Sequence, residues 1–302
     1  MISMVEARDR VVSLKALMDP CRLCPRKCGA HRFSGQLGFC GAGGRLKLAS
    51  WALHRGEEPA ISGTGGSGTI FASHCTLKCC FCQNYPFSQL GNGREMEPEE
   101  LSERMLQLEK RGVHNINLVT PTQFSPLLLE AFIIAREKGL QLPLVYNTSG
   151  YETLEVLGLL DGIVDIYLPD LKYSDDLISG RISRVDDYVT HSRASIIEMF
   201  RQVGNLDTNR DGIGARGLIV RHLVLPGGLQ GTRVSFEWLA GALGTEVCIS
   251  LMCQYFPAWR APEIPGLDRK ITDEEYLEAI GIVEKLGFIN VLAQDPDELG
   301  GA

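Results

Sequence analysis

The stretch 73–89, SHCTLKCCFCQNYPFSQ, decides how the rest of the chain is interpreted. It places Cys75, Cys79 and Cys82 in a C-x3-C-x2-C pattern and leaves Cys80 as an additional thiol. A loop this short can wrap three thiolates around one metal cluster but cannot easily supply a fourth. Four-iron clusters are normally held by four cysteine thiolates. Three ligands would therefore leave one iron open, and an open coordination position is what separates catalytic metal centres from closed structural ones.

Two other interpretations of this loop need no catalysis. The thiols could form a structural zinc knuckle, or they could simply be buried. Zinc in a structural site takes four tetrahedral ligands, so three cysteines on one short loop fit it poorly. The pattern favours an iron–sulfur cluster, and it is a hypothesis that needs its structural context.

The same residues resemble a known family. The spacing of the cysteines, the aromatic Phe81 directly before Cys82 and the following Gln83 and Asn84 are similar to the radical S-adenosylmethionine (SAM) enzymes. Within that superfamily they look most like the activating enzymes of glycyl radical enzymes, such as pyruvate formate-lyase activating enzyme, and their uncharacterised iron–sulfur relatives.

The resemblance implies a cofactor set and a reaction. The three cysteines would hold a [4Fe–4S] cluster whose open iron binds the amino and carboxylate groups of SAM. An electron from the reduced cluster would then cleave SAM to methionine and a 5′-deoxyadenosyl radical. By the same resemblance Phe81 lies against the adenine, and Asn84 belongs to the cofactor-binding set.

Composition excludes several classes of function. The chain has 302 residues, 44% of them hydrophobic, and a net charge of −7. This charge argues against a dedicated nucleic-acid surface, which needs clustered Lys and Arg. No apolar run approaches the ~20 residues of a membrane span, and the N-terminus reads as an amphipathic helix ending at Pro20 rather than a signal peptide. Ten clustered cysteines indicate metal binding in a cytoplasmic protein.

A second group of thiols precedes the first. Cys21, Cys24, Cys28 and Cys40 follow a C-x2-C-x3-C-x11-C pattern in a segment that Pro and Gly interrupt repeatedly. These thiolates could close around one zinc ion or one auxiliary iron–sulfur cluster. A closed four-thiolate site is usually structural, which favours a metal that only holds the fold together. An auxiliary cluster that passes electrons inward is the alternative.

The remaining sequence predicts an α/β fold. From residue 68 onward short apolar runs alternate with segments of helical period, as in repeated βα units with a parallel sheet. We expect strands at 69–73, 115–120, 142–147, 163–168, 218–225 and 246–252, and helices at 98–111, 125–138, 152–160, 192–203, 235–243 and 272–286. Right-handed crossovers would curl these units into a partial (β/α)6 TIM-like barrel, which is the fold that the resemblance implies. Residues 1–66 form an N-terminal helix and Cys-rich metal-binding extension, and residues 67–302 form the barrel.

Candidate cofactor-binding residues follow the predicted strands, where ligands of parallel βα folds collect. They are Thr120, Thr122, Asn147, Asp170, Lys172, Arg221 and Gln254. The Asp-Leu-Lys triplet at 170–172 resembles one that lies near SAM and the substrate peptide in glycyl radical activases, although it could be a surface ion pair. By resemblance Arg221 contacts SAM through its bidentate fork. The glycine-rich acidic turn that many family members carry after the second strand is replaced here by Thr-Pro-Thr.

Three further features are left open by the sequence. Only one of Arg221 and His222 can point inward on an alternating strand. His54, Glu57 and Glu58 are more readily explained as a solvated turn than as ligands. The segment 173–216 is expected to be a charged insertion around one helix, serving as a lid or a partner surface.

The leading hypothesis is a radical SAM oxidoreductase that abstracts a hydrogen atom. Its substrate would be a glycine on a glycyl radical enzyme, another protein or peptide, or a small molecule, and flavodoxin or ferredoxin would supply the electron. One alternative is a non-catalytic iron–sulfur electron carrier or redox sensor, which would bind no SAM. Another keeps the radical chemistry but directs it to methylation or sulfur insertion.

Overall fold

The computed structural model describes residues 2–295, and a mostly parallel sheet organises them. The strand order is β10-β9-β8-β6-β5-β4-β2-β1-β3. The seven strands from β10 to β2 in this order run parallel to one another. Strand β1 pairs antiparallel with both β2 and β3, and the short β7 pairs antiparallel with β8. The strands are β1 Lys47–His54, β2 Ser67–Ala72, β3 Arg94–Glu95, β4 Ile116–Val119, β5 Leu144–Thr148, β6 Ile166–Pro169, β7 Asp207–Thr208, β8 Gly214–Leu223, β9 Cys248–Met252 and β10 Val291–Ala293.

Helices cover the outer face of this sheet. Most of the central strands are buried on both faces, and their sequences are therefore continuous apolar runs without polar residues at every second position. The helices are α1 Met4–Ala16, α2 Pro59–Ser62, α3 Tyr85–Ser88, α4 Pro98–Lys110, α5 Ser125–Glu137, α6 Leu154–Leu160, α7 Asp176–Ser183, α8 Tyr188–Val203, α9 Thr232–Leu243 and α10 Asp273–Lys285. None of the helices in this described part of the chain has the length and apolar character needed to cross a bilayer.

The short helix α2 closes the amino-terminal end of the curled sheet. Its Ala60 and Ile61 are buried against inward-facing side chains of the central strands, including Val145, Leu168 and Ile219. These apolar residues form a small core separate from the larger one between sheet and helices. Apolar side chains therefore fill the barrel interior at this end.

The N-terminal segment packs along the barrel. Helix α1 buries Ala7, Val11 and Leu14 in the main core and lies against α5 and α6. The chain then runs through the N-terminal cysteine group, which comprises Cys21, Cys24, Cys28 and Cys40, to β1, which pairs antiparallel with β2. This course brings the N-terminal cysteine group close to the loop that follows β2, where Lys78 Nζ donates to Cys40 O.

The fold class expected from the sequence is confirmed. All six expected strands are present. Helix α10 begins with a capping box formed by Thr272 and Glu275. A further parallel strand, β10, follows α10 and was not expected, because its three residues are too few to show periodicity. The segment 173–216 contains two helices instead of one: α8 is the ordinary crossover between β6 and β8, and α7 is the addition.

A buried acid joins the carboxyl ends of β4 and β5. Glu152 is 1% exposed, and its Oε1 accepts hydrogen bonds from the hydroxyls of Thr122, at 2.6 Å, and Thr148. Its Oε2 has no hydrogen-bond partner among residues 2–295. Burial raises the pKa of Glu152 from 4.5 to about 7, and the two threonine hydroxyls only partly oppose this. The folded protein thus favours the protonated form.

We expect this acid to make stability pH-dependent. Because its folded pKa is raised, its contribution is fully present below pH 4.5 and is lost as the pH rises through about 7. Relative to Glu152→Gln, the native protein should lose up to about 3 kcal/mol of unfolding free energy between pH 5 and pH 8. Urea denaturation of both proteins under anaerobic conditions measures this difference. Glu237→Gln, at an exposed position on α9, keeps Glu152 and should follow the native protein over this pH range. Equal pH slopes of the unfolding free energy for Glu152→Gln and the native protein would contradict the assignment.

Candidate active site

The loop after β2 carries the three cysteines of the C-x3-C-x2-C pattern, and each thiol has a hydrogen-bonding neighbour. The backbone N–H of Leu77 donates to Cys75 Sγ at 3.4 Å, and the Ser183 hydroxyl donates to Cys79 Sγ at 2.9 Å. Cys82 Sγ lies 3.1 Å from Ser88 Oγ. These donors suit thiolate sulfur, because hydrogen bonds to cluster sulfurs are one of the means by which a protein sets cluster chemistry.

Neighbouring elements hold this loop in place. The backbone N–H of Cys80 donates to Ile182 O at 2.8 Å, which fixes the loop to α7. The side-chain amide of Gln123 donates to the carbonyls of Ser73, His74 and Thr120 and so joins the loop to the end of β4. This bridging role of Gln123 depends on contacts between distant segments, which the sequence does not indicate.

Burial makes the free thiols poor acids. It raises the pKa of both Cys75 and Cys79, and the other thiols of the loop add to this effect. The Lys172 ammonium opposes it at both sites. Metal ligation requires deprotonated cysteine, so binding at this loop must release protons that the apo protein holds tightly.

The donor set of this loop is three thiols from one short segment. Cys75, Cys79 and Cys82 lie in one apolar cluster with Leu77 and Phe81, and Cys75 interacts electrostatically with both other thiols. In a four-iron cluster each thiolate binds a different iron. Three thiols of one loop are therefore a suitable donor set for three irons of such a cluster.

A network of charged side chains lies beside the thiols. Asp170 Oδ1 accepts a hydrogen bond from Arg221 Nε at 2.9 Å and lies 2.8 Å from Arg221 Nη2, and Asp170 Oδ2 lies 2.6 Å from Lys172 Nζ. Arg221 Nη2 also donates to Asn147 Oδ1 at 2.6 Å. These residues stand at the carboxyl ends of β5, β6 and β8, so four of the residues expected to bind a cofactor do meet.

The network is buried and balanced around one carboxylate. Burial acts to raise the pKa of Asp170, but Arg221 and Lys172 outweigh it and hold the pKa below its ordinary value. Lys172 also interacts electrostatically with Cys79. Lys172 therefore interacts both with the Asp170 carboxylate and with Cys79, which links the charged network to the cysteine loop.

The other expected residues have different surroundings. Thr122 is buried and its hydroxyl is bonded to Glu152, whereas Thr120 adopts φ 55°, which is unusual for a β-branched residue and typical of constrained sites. Phe81 is buried and lies against Tyr255, with ring centroids 5.7 Å apart. Asn84 and Gln254 are exposed at the rim.

His222 belongs to the outer side of β8. It is fully buried, and its ring nitrogens lie 2.6 Å from Leu171 O and 3.2 Å from Thr232 Oγ1. Burial lowers its pKa to about 4, so it is neutral. The alternation of the strand places Arg221 in the barrel and His222 against the helices.

The expectation that Glu57 and Glu58 form a solvated turn was wrong. Both lie in the barrel interior, because α2 follows them and plugs the barrel. Asn147 Nδ2 donates to Glu57 Oε2 at 3.4 Å, and burial raises the pKa of Glu57 to about 7. Glu58 Oε2 and both polar side-chain atoms of Asn117 are buried without a hydrogen-bond partner in the described part of the chain. The only signal in the sequence was the apolar pair Ala60 and Ile61 directly after these acids.

Known proteins share both sequence and fold with this chain. The model of the radical SAM superfamily matches residues 69–219. An uncharacterized protein of Methanocaldococcus jannaschii is 30% identical over 289 residues, which are 91% of this chain and 78% of the relative. The chain belongs to the radical SAM superfamily.

Two solved structures resemble it in fold. A radical SAM methyltransferase from Sphaerobacter thermophilus matches with a TM-score of 0.51 and 14% identity, covering 75% of this chain and 65% of that one. HydG, a maturase of the [FeFe]-hydrogenase, matches with a TM-score of 0.52 and 13% identity, covering 99% of this chain and 66% of that one. The chain thus spans less than two thirds of either structure, and at these identities the likeness concerns the fold.

The charged network yields a prediction about stability. Asp170→Ala would leave Arg221 and Lys172 buried without their carboxylate, and removing one partner of a buried ion network typically costs about 3–5 kcal/mol. We expect a loss of that size in urea denaturation. Glu263→Ala, which removes an exposed pair with Arg260, should cost about 0–1 kcal/mol. Similar losses for the two variants would contradict the view that Asp170 neutralises a buried cationic site.

Proposed function

We propose that this radical SAM protein binds a [4Fe–4S] cluster through Cys75, Cys79 and Cys82 and uses it to cleave SAM. The single observation that carries this proposal is that Lys172, buried in the Asp170 network, interacts electrostatically with Cys75 and Cys79 of the three-thiol loop. Three thiol ligands suit a cluster with one open iron. When bound, the reduced cluster supplies the electron that cleaves SAM to methionine and a 5′-deoxyadenosyl radical.

The residues of the chain bind and orient SAM in this proposal. Arg221, Lys172 and Asn147 offer donors to the methionine carboxylate, and Asp170 offers an acceptor to its amino group. Since Asp170 already fixes both cations, little side-chain entropy remains to be lost on binding. We also propose that Phe81, Asn84, Thr120, Thr122 and Gln254 border the cofactor; Phe81 and Tyr255 supply an apolar wall that excludes water.

The proposed reaction is hydrogen-atom abstraction from a protein partner, with a glycyl radical enzyme as the first candidate. This proposal rests on the likeness of the cysteine loop and of the Asp-Leu-Lys triplet to the activating enzymes. Flavodoxin or ferredoxin would supply the electron, and the clustered thiols favour a cytoplasmic location. Another peptide or a small molecule remains the alternative substrate, and methylation or sulfur insertion the alternative reaction.

A second metal is part of the proposal. Cys21, Cys24, Cys28 and Cys40 line a single cavity, which supports their joint binding of zinc or an iron–sulfur cluster. A non-catalytic electron carrier would share both thiol groups. It would have no need of the buried Asp170 network, however, and SAM binding distinguishes the two functions.

We expect alanine substitutions of the four cysteines in this loop to differ in their effect on SAM cleavage. After anaerobic reconstitution, Cys75→Ala, Cys79→Ala and Cys82→Ala should each lower 5′-deoxyadenosine formation from SAM and dithionite to background. Cys80→Ala should stay within a few-fold of the native protein, because Cys80 lies in the same loop but outside the proposed ligand set. Liquid chromatography of the quenched reaction measures the product. No 5′-deoxyadenosine from the native, iron-loaded protein would overturn SAM cleavage.

The proposed protein substrate, a glycyl radical enzyme, is tested by a second measurement on the same reaction. Addition of a glycyl radical enzyme should raise 5′-deoxyadenosine formation and produce a glycyl radical signal in electron paramagnetic resonance (EPR) spectra. An active protein that produces no such signal with any glycyl radical enzyme tested would leave SAM cleavage intact and count against this substrate.

SAM binding should depend on the fork of Arg221. Arg221→Lys keeps the charge but loses the planar pair of donors, and the two residues are not interchangeable at bidentate sites. We expect SAM to bind about tenfold or more weakly to this variant, since a hydrogen bond between charged groups contributes roughly 1.5–3 kcal/mol. Calorimetry on the cluster-loaded protein measures the affinity. Arg260→Lys, in an exposed pair, is the control, and equal affinities for both variants would contradict the role of Arg221.

A further inference from the structure

Two acids and one amide lie together inside the barrel, and we call Glu57, Glu58 and Asn117 the lumen cluster. Ile116 and Leu118 belong to the core between sheet and helices, so the alternation of β4 turns Asn117 into the barrel. Asn117 is fully buried, and its amide is close enough to Glu57 to favour the charged form of that acid. Glu58 interacts electrostatically with Glu57 and is 9% exposed.

The lumen cluster has hydrogen-bonding capacity that the described chain does not use. Glu58 Oε2 and both Oδ1 and Nδ2 of Asn117 are buried and have no hydrogen-bond partner among residues 2–295. Neither Glu57 nor Glu58 forms an ion pair in that range: Arg221 attracts both acids but pairs with Asp170. Burying polar groups without partners is costly, and groups kept in this condition are typical of ligand sites.

The backbone around the cluster is held in place without a ligand. Asn115 Nδ2 donates to Ile61 O at 2.7 Å, and Ser67 Oγ donates to Asn115 Oδ1 at 2.7 Å. The backbone N–H of Ile61 donates to Glu58 O at 2.8 Å. These bonds fix the start of α2, and with it both acids, to the strands of the barrel. A ligand would therefore meet a site that needs little ordering.

One side chain joins the lumen cluster to the proposed SAM-binding residues. Asn147 Oδ1 accepts a hydrogen bond from Arg221 Nη2 at 2.6 Å, and Asn147 Nδ2 donates to Glu57 Oε2 at 3.4 Å. Glu57 is only partly buried, so solvent reaches the cluster. A group bound by the cluster would thus lie beside the residues that are proposed to bind SAM.

The charges and donors of the cluster favour an organic cation. Asp170 is already balanced by Arg221 and Lys172, which leaves Glu57 and Glu58 without a counter-charge of their own. An ammonium or guanidinium group brings positive charge together with several N–H donors. A divalent metal ion takes oxygen ligands only; it would leave the amide N–H of the cluster unpaired, and the Arg221 guanidinium would repel it.

We infer that Glu57, Glu58 and Asn117 bind an ammonium or guanidinium group of the substrate inside the barrel. The two glutamates accept its N–H groups and balance its charge, and Asn117 Oδ1 accepts a further N–H. The binding site itself does not depend on SAM cleavage, whereas its role as the substrate site rests on the proposed function.

Calorimetry with a matched pair of probes tests the site. N-acetyl-lysinamide carries an ammonium group, and N-acetyl-norleucinamide has the same side chain without it. In the cluster-loaded native protein with saturating SAM we expect the lysine probe to bind about tenfold or more tightly than the norleucine probe, as charge-assisted hydrogen bonds require. Equal affinities, no binding of either probe, or displacement of the lysine probe by SAM or by Mg²⁺ would each overturn the inference.

Substitutions of the acids place the probe in the lumen. Glu57→Gln and Glu58→Gln should each weaken binding of the lysine probe about tenfold or more, whereas Glu263→Gln, at an exposed position, should bind it like the native protein. Because Glu58 has no counter-charge, Glu58→Gln should keep or raise the temperature of thermal unfolding. A lower unfolding temperature with native affinity would assign Glu58 to the fold and overturn the inference. Should Glu58→Gln not fold, Glu57→Gln decides.

The pH dependence of binding gives a second readout of Glu57. Burial raises the pKa of this acid to about 7; Glu58 adds to the rise, while Arg221 and Asn117 oppose it and Asp170 adds a smaller increase. The lysine probe stays charged at neutral pH, so its affinity should increase several-fold as the pH rises from about 6 to about 8. Glu57→Gln should lose most of this increase. The same increase in both proteins would overturn the role of Glu57.

The outcome for this site is distinguishable from that for SAM cleavage. A native protein that binds the lysine probe selectively but yields no 5′-deoxyadenosine would overturn the proposed function and leave the cation site standing. A native protein that forms 5′-deoxyadenosine but binds both probes equally would overturn the cation site alone.

Discussion

The carboxyl end of the barrel is organised by a buried ion-pair network of Asp170 with Arg221 and Lys172. Asp170 meets both Arg221 and Lys172 at the carboxyl end of the barrel, and their attraction outweighs the burial that would otherwise neutralise it. Removing ions from water is expensive unless each finds a partner with good geometry. Lys172 also interacts electrostatically with Cys75 and Cys79 of the neighbouring loop, so the charged network and the thiols influence each other.

Hydrogen bonds join three segments that are distant in sequence: the N-terminal cysteine group, the loop after β2 and the loop after β4. Arg32 of the N-terminal cysteine group donates to the carbonyl of Gln123, whose side-chain amide donates to the carbonyls of Ser73 and His74. Lys78, in the loop that follows β2, donates to the carbonyl of Cys40. These contacts connect the two thiol groups, and a change in the structure of one group should therefore affect the other.

The interior of the barrel has two different ends. At the amino-terminal end Ala60 and Ile61 plug the barrel with apolar contacts, whereas above them Glu57, Glu58 and Asn117 present polar atoms to the lumen. These polar atoms are buried beneath the charged network. Buried groups of this kind are found where proteins bind or transform ligands.

The sequence by itself determined the βα order, the fold class and the three thiols of the C-x3-C-x2-C loop, because periodicity and ligand spacing are local properties. It also gave the strand-end positions of Asn147, Asp170 and Arg221. Only the tertiary structure decided that Glu57 and Glu58 point into the barrel, that Thr122 bonds to Glu152, and that the N-terminal thiols surround a cavity next to Thr76. These outcomes depend on contacts between segments far apart in the chain, and no local pattern encodes which distant surface a polar residue will meet.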